Sequence, residues 1–187
     1  MLLEIAIVLL LTLFNGVLAM SELAIVSARP ARLKTMAQQG SRGAATALDL
    51  AADPGRFLSS VQIGITLVGV LSGAFSGATL GTRLATALVA GGMQPALAHT
   101  LAVGGVVVAI TYLSLIVGEL VPKQIALRAP EAVAARIAPL IRMISRIAAP
   151  VVWVLDRSGR VLLALLGQSG KAESSMSDEE IKVMLAE

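Results

Sequence analysis

The sequence has 187 residues, of which 56% are hydrophobic and only 14% are charged, and its mean hydropathy is +0.84. Average soluble domains carry about 25% charged residues, so the composition predicts an integral membrane protein. The absence of cysteine and the single histidine exclude disulfides, thiolate ligands and histidine-based zinc sites. The formal net charge is +3, but aromatic residues make up only 3%, which argues against a nucleic-acid partner.

Three apolar segments are long enough to cross a bilayer, which takes about 20 helical residues. They cover about residues 5–28, 57–82 and 96–120. The first segment lacks the basic start of a signal peptide and is longer than its apolar region of roughly 7–15 residues, so we interpret it as a transmembrane helix. The sequence thus predicts an all-α integral membrane protein with a transmembrane core over residues 1–128.

The basic residues predict how the chain crosses the membrane. Lysine and arginine are retained on the cytoplasmic side, and five of them lie in the loop of residues 29–56. This rule places that loop and everything after Lys123 in the cytoplasm, and it places the amino terminus and residues 83–97 outside. We therefore expect a multi-pass protein of the cell (inner) membrane whose carboxyl terminus is cytoplasmic.

Beyond Lys123 the chain is too charged to span a membrane and too apolar to be a solvated linker. Arginines and prolines interrupt apolar residues over residues 129–167, a pattern typical of amphipathic helices on a membrane face. We expect a juxtamembrane helical belt there. Residues 168–187 are hydrophilic, and Ser177 followed by Glu180 predicts a helix start in a cytosolic acidic region, which implies a further cytosolic domain in the parent protein.

A stripe of small residues lies along the second predicted span. Gly69, Ser72 and Ser76 recur at three- and four-residue steps with Gly73 and Gly77 between and after them, so on a helix they share one face. Such a stripe most often means close packing against another helix, and the serines could also bond back to their own helix. The alternative is that the two hydroxyls are ligands for a cation inside the membrane.

The third predicted span ends with a lone carboxylate, Glu119, followed by Pro122 and Lys123. A carboxylate in a span is costly and by default marks an ion pathway; the alternative is an ion pair with Lys123 four residues on. Pro122 removes the backbone donor that would bond the Gly118 carbonyl. Free carbonyls beside a carboxylate are ligands for hard cations.

The first span adds further oxygen atoms through Asn15, Ser21 and Glu22. Glu22 lies near the predicted cytosolic end of this span. A contact with Arg29 or Arg32 and a functional role explain the presence of Glu22 at this position equally well.

Three blocks of sequence, residues 15–29, 64–77 and 118–123, occur in this order, and the last reads Gly-Glu-Leu-Val-Pro-Lys. Together they resemble the transmembrane domain of the CorC/CNNM family, magnesium transporters that carry cytosolic CBS domains. The resemblance covers about residues 1–167, and the last block is its most specific part. It implies a homodimer in the lipid bilayer, each protomer having three spans and the juxtamembrane belt.

The resemblance also implies a magnesium site between the spans that opens inward, with sodium-coupled export as the mechanism. Carried over by position, its oxygen ligands are at Ser21, Gly69, Ser72, Ser76, Gly118 and Glu119. Candidates for the remainder of the ion pathway are Asn15, Glu22, Pro122 and Lys123. Nucleotide would bind only to the CBS domains, which this chain does not include.

We therefore hypothesise a membrane transporter that exports Mg²⁺, with Na⁺ as the coupling ion. Mg²⁺ takes oxygen ligands and sheds water reluctantly, so neutral hydroxyls and carbonyls with one carboxylate would bind it without trapping it. The alternative is a non-transporting membrane anchor or cation sensor for a cytosolic regulatory domain. Without cysteine or paired carboxylates in the core, we expect no enzymatic activity.

Overall fold

The computed structural model describes residues 2–166, and every regular element in this range is a helix. The α-helices are α1 (Leu2–Ser27), α2 (Pro30–Gln38), α3 (Arg42–Ala52), α4 (Pro54–Ser76), α5 (Thr82–Ala90), α6 (Pro95–Leu115), α7 (Val121–Arg128) and α8 (Pro130–Leu165). Two π-helical turns, Gly77–Gly81 and Ile116–Leu120, join α4 to α5 and α6 to α7. The helical backbone continues through both turns, so Pro54–Ala90 and Pro95–Arg128 are two long continuous helices.

Four helices in the described range are long and apolar enough to cross a membrane: Leu2–Ser27, Pro54–Ala90, Pro95–Arg128 and Pro130–Leu165. The three predicted spans coincide with the first three of these helices. The fourth is α8, which the sequence predicted to be a belt of several helices. It is instead one helix that continues through Pro139 and Pro150. That three of these helices span the membrane therefore stays a prediction.

The first part of α8 packs one apolar face against the other helices of a compact unit that ends at Ala149. Its buried residues follow helical steps of three and four, as in an amphipathic helix: Ala134, Ile137, Ala138 and Ile141. Its contact with α3 is so close that a side chain at Gly43 would overlap the Ala135 carbonyl. The described residues from Pro150 onward belong to a second unit, and most of them are exposed.

The helix α1 packs against α4, α7 and the 116–120 turn of the first unit. Its residues Leu18 and Ile25 join a core that also contains Leu33 of α2 and Phe57 of α4. The helices α5 and α6 are joined by a short loop and pack against each other. In this loop Gly92 has a φ of 93°, a value that glycine adopts without steric cost.

Two contacts show which helix ends lie on the same side of the unit. Glu4, near the start of α1, pairs with Arg83 of α5 at 2.9 Å, so the amino end of α1 lies beside the last part of the second long helix. At the opposite ends, Ser27 and Arg128 line one cavity. The first and third long helices therefore run in the same direction, as the predicted topology requires. Which end faces the cytoplasm stays a prediction, and the predicted helix start at Ser177 lies outside the described residues.

Candidate cation site

A polar contact joins α1 to the π-helical turn of residues 116–120. Asn15 Nδ2 donates a 3.0 Å hydrogen bond to the carbonyl oxygen of Gly118. Glycines permit the close approach: a β-carbon at Gly16 would lie 3.0 Å from Pro122 Cγ, and one at Gly118 would lie 3.2 Å from the Thr12 carbonyl oxygen. Small residues on both sides thus bring the two backbones into contact, as is common where helices pack inside membranes.

The π-helical turn coincides with the missing backbone donor of Pro122. Since proline has no N–H, the Gly118 carbonyl lacks its usual helical partner four residues on. The helix widens here, and the Val121 N–H donates to the Ile116 carbonyl five residues back. The Gly118 carbonyl, which lacks a helical donor because of Pro122, instead accepts the hydrogen bond from Asn15. Turns of this kind are frequent at functional sites.

The two serines of the α4 stripe are buried, with relative exposures of 3% for Ser72 and 0% for Ser76. Ser76 Oγ donates to the Gly73 carbonyl at 3.1 Å, which is one of the bonds that a helical serine makes to its own helix. Ser72 Oγ has no hydrogen-bond partner among the described residues, and neither has the Oδ1 atom of Asn15. Buried polar atoms nearly always have a partner. Each of these two oxygens can therefore still accept a hydrogen bond or bind a cation.

Ser21 is fully buried on α1, and its Oγ donates to the Leu18 carbonyl at 2.7 Å. A hydroxyl that donates its hydrogen keeps its oxygen lone pairs for another partner. Ser21 and Asn15 belong to α1 and Ser72 belongs to α4, and these two helices pack against each other. The predicted oxygen ligands thus lie on packed elements of one unit.

Glu119 forms an ion pair with Lys123, whose Nζ lies 2.8 Å from Glu119 Oε1. Both side chains are about one third exposed, at 39% and 32%. This is the arrangement that the sequence left open as the alternative to a ligand role. In this structure Lys123 therefore balances the charge of Glu119.

The sequence-family model of the cyclin M transmembrane N-terminal domain matches residues 5–187 of this chain. The chain belongs to this family. The resemblance drawn from three sequence blocks is thereby confirmed, and the cyclin M domain described here is a multi-pass membrane domain.

Relatives of this cyclin M domain occur in several bacteria. It is 45% identical over 183 residues to UPF0053 protein sll0260 of Synechocystis sp., covering 98% of this chain and 41% of that protein. It is 30% identical to UPF0053 protein YhdP of Bacillus subtilis, covering 89% of this chain and 38% of that protein. It is 28% identical to the polyamine export protein of Haemophilus influenzae, covering 91% and 39%. The chain therefore spans about two fifths of the length of these relatives.

Gly69 of the cyclin M domain differs from Ser72 and Ser76 in its exposure. It is exposed, and a β-carbon built there meets no atom within 4 Å. Because α4 is regular through Ser76, no irregular backbone frees the Gly69 carbonyl that the resemblance suggested as a ligand. Gly69 and Ser76 share nearly one face but lie roughly 10 Å apart along the helix. The small-residue stripe is thus buried at the serines and open at Gly69.

Glu22 does not make the contacts expected of a structural residue. It is half-buried and forms no ion pair with Arg29 or Arg32. The partner of those arginines is Glu131, which accepts the Arg29 backbone N–H at 3.3 Å and pairs with Arg32 at 3.8 Å. Glu131 was not among the residues predicted from the sequence, although an acidic residue directly after a helix-starting proline is a recognisable signal.

Among residues 2–166 of the cyclin M domain, no three histidine, cysteine or carboxylate side chains come together as a metal site. A cation bound to the described helices would therefore meet mainly hydroxyl, amide and carbonyl oxygens. Asn15, which the sequence suggested only as part of a pathway, donates a side-chain hydrogen bond to the 116–120 turn. Its oxygen and that of Ser72 are buried and have no hydrogen-bond partner within residues 2–166.

Proposed function

We propose that this cyclin M domain transports a hard divalent cation across the membrane, with Mg²⁺ as the exported cargo and Na⁺ as the coupling ion. One observation carries the proposal: the buried oxygens of Asn15 and Ser72 lack a hydrogen-bond donor in the described part of the chain. Mg²⁺ and Ca²⁺ take oxygen ligands of this kind. The Gly118 carbonyl, which accepts the hydrogen bond from Asn15, would add a ligand through its second acceptor position, and Ser76 would add a hydroxyl one turn from Ser72. Ser21 lies about 9 Å from Asn15 along α1, so it would meet the ion at another point of its path.

Glu119 would supply the one negative charge of the site by exchanging partners. Its present partner Lys123 is a flexible cation, 2.8 Å away and one third exposed. An arriving Mg²⁺ would displace the ammonium group, and release of the ion would allow the ion pair to form again. Such an exchange limits the affinity for Mg²⁺, because binding must break the existing pair. Weak binding of this kind suits a transporter, whose cargo must leave the site.

A polyamine is a second candidate for the transported cargo. One relative is named a polyamine export protein and is 28% identical over 174 residues. A polyamine is an organic cation whose amines donate hydrogen bonds, and the unpartnered oxygens of Asn15 and Ser72 would accept them. The family relation thus supports a cationic cargo, and transport measurements must compare Mg²⁺ with spermidine.

The alternative function is a membrane anchor or cation sensor for a cytosolic regulatory domain. The internal bonds of the candidate ligands favour this alternative: Ser21 and Ser76 bond their own helix, and Glu119 is already paired. Under this alternative, the small residues serve only close packing. Transport would then be absent, whatever the cation.

The deciding experiment combines flux and melting on the purified protein. In liposomes with a magnesium-sensitive dye inside, Mg²⁺ movement should depend on the protein and respond to a sodium gradient. Mg²⁺-dependent melting should weaken most in Glu119→Gln and by an intermediate amount in Ser72→Ala and Ser76→Ala. A packing role predicts the reverse order, with alanine tolerated and Ser76→Leu damaging. Wild-type Mg²⁺ responses in both Glu119→Gln and Ser72→Ala would contradict the transport site.

A further inference from the structure

A cavity of about 740 Å³ lies where the ends of α1 and α7 meet α2 and the start of α8. Its charged lining consists of three arginines and one glutamate: Arg29, Arg32, Arg128 and Glu131. None of the candidate cation ligands lines this cavity. An excess of positive charge repels Mg²⁺ and attracts anions, so the cavity is not a continuation of the cation site.

Two of the three arginines have their charged groups available for a ligand. Glu131 is already engaged, since it accepts the Arg29 backbone N–H at 3.3 Å and pairs with the Arg32 side chain at 3.8 Å. Within residues 2–166, the guanidinium groups of Arg29 and Arg128 form no ion pair, and both residues are exposed. A guanidinium presents several donors in one plane, an arrangement that matches the oxygens of a phosphate group.

The position of these arginines relative to the long helices indicates their depth in the membrane. Arg29 follows α1 directly, and Arg128 is the last residue of the helix Pro95–Arg128. A helix of 26 residues such as α1 is about 40 Å long, which is roughly the thickness of a bilayer with its headgroups. The cavity therefore lies at the level of the lipid headgroups.

Apolar surface lies next to the charged lining. Leu127 lines the cavity itself and is 57% exposed, and Val26, which precedes the lining residue Ser27, is 58% exposed. Both residues lie on the membrane side of the arginines along their helices. A ligand with a phosphate and hydrocarbon chains would match this combination, whereas a free phosphate would leave the apolar residues without a partner.

We propose that this cavity binds the headgroup of an anionic phospholipid. The phosphate lies between Arg29 and Arg128, and the acyl chains extend along Val26 and Leu127. Basic pockets between transmembrane helices on the cytoplasmic side recognise anionic headgroups in this way. Because the two arginines belong to the ends of different long helices, the bound lipid holds these ends together at one membrane surface.

The test is native mass spectrometry of the purified protein with phosphatidylglycerol or phosphatidylcholine added at equal concentration. The wild type should retain phosphatidylglycerol in preference to phosphatidylcholine. The double variant Arg29→Gln/Arg128→Gln should bind phosphatidylglycerol about thirtyfold more weakly, because each basic residue near the surface contributes about 1 kcal/mol to the attraction. The matched control, Arg42→Gln/Arg136→Gln, removes the same charge at two exposed arginines outside the cavity and should keep wild-type binding.

Thermal melting in a zwitterionic detergent tests whether both double variants are folded. If Arg29→Gln/Arg128→Gln is not folded, the single variant Arg128→Gln replaces it. Glycerol phosphate, the soluble headgroup fragment, should neither bind at the concentration used for the lipid nor displace it. Equal loss of lipid in the two double variants would overturn the proposal, since it would mean a general effect of charge. Equal retention of both lipids, or displacement of the lipid by glycerol phosphate, would overturn it as well.

Discussion

Asn15 on the first helix donates a hydrogen bond to the carbonyl oxygen of Gly118 in the third long helix, at a distance of 3.0 Å. The same amide leaves its Oδ1 atom buried without a partner in the described part of the chain. The nitrogen of this side chain thus binds the π-helical turn, whereas its oxygen is the atom that we propose as a cation ligand. A substitution at Asn15 can test the contribution of the nitrogen to stability.

The change Asn15→Asp should destabilise the fold. Aspartate has nearly the same shape but lacks the N–H donor, so it places a second acceptor against the Gly118 carbonyl. We expect a loss of about 1–3 kcal/mol, as for other buried groups left without a partner, measured by thermal unfolding in detergent. The control is Thr12→Val, because the hydrogen bond that Thr12 Oγ1 makes in the described part of the chain goes to the Val8 carbonyl of its own helix. Equal losses in the two variants would show that the interhelical bond does not stabilise the protein.

The sequence predicted the long helices well because their signal is local. Runs of about 20 apolar residues specify spans, and Pro122 predicts a carbonyl without its helical donor. It could not predict which group would use that carbonyl, since Asn15 and Gly118 are 103 residues apart. The burial of Ser72 beside the exposure of Gly69 was also beyond prediction. Which residues of one helix face are covered depends on the packing of the neighbouring helices, which the sequence of α4 alone does not specify.

A second prediction separates the two interpretations of Glu119. The change Lys123→Met keeps a long side chain but removes the ammonium group that pairs with Glu119 at 2.8 Å. If Glu119 binds the transported cation, this variant should bind Mg²⁺ several-fold more tightly, because no internal cation competes for the carboxylate. Mg²⁺-dependent melting over a range of concentrations measures the change.

The double variant Lys123→Met/Glu119→Gln is the control for that experiment. It should lose the gain in Mg²⁺ affinity, because the carboxylate is absent. If the ion pair is purely structural, Lys123→Met should instead lower the melting temperature and leave the Mg²⁺ response unchanged.

A third prediction tests the packing of α3 against α8. The change Gly43→Ala puts a methyl group where the Ala135 carbonyl already lies, so the two backbones must move apart. We expect destabilisation of about 1–3 kcal/mol or more, as in other overpacked sites. Gly55→Ala is the matched control, because a β-carbon at this helical position meets no atom within 4 Å. It should be neutral or stabilise the protein by up to about 1 kcal/mol. Similar melting temperatures for the two variants would contradict the packing.

The fourth prediction concerns topology. Gln39 directly follows the short helix α2, and Gln94 lies in the loop before α6; both are exposed. In this cysteine-free chain, Gln39→Cys and Gln94→Cys should react with a membrane-impermeant thiol reagent from opposite sides of the membrane. In intact cells, only Gln94→Cys should be labelled, because the basic loop of residues 29–56 is expected to be cytoplasmic. Labelling of both variants in intact cells would exclude the proposed orientation.

The last prediction addresses the proposed homodimer. On the two long helices that carry them, Gly69, Gly104 and Gly105 are exposed, and a β-carbon at any of them meets no atom within 4 Å. Exposed glycines inside a membrane favour close association with another helix, so we expect them to contact the partner protomer. The change Gly69→Leu should then shift the protein from dimer to monomer, measured by mass photometry in mild detergent.

A leucine at Gly69 has open space within its own protomer, so the melting temperature of the monomer should change little. The comparison variant is Gly81→Leu, because a β-carbon at Gly81 already lies 3.1 Å from Val103 Cγ2 and 3.2 Å from its α-carbon. That variant should destabilise the protomer itself. A Gly69→Leu protein that remains dimeric would exclude this face as the interface. A wild type that is monomeric at every accessible concentration would argue against the homodimer altogether.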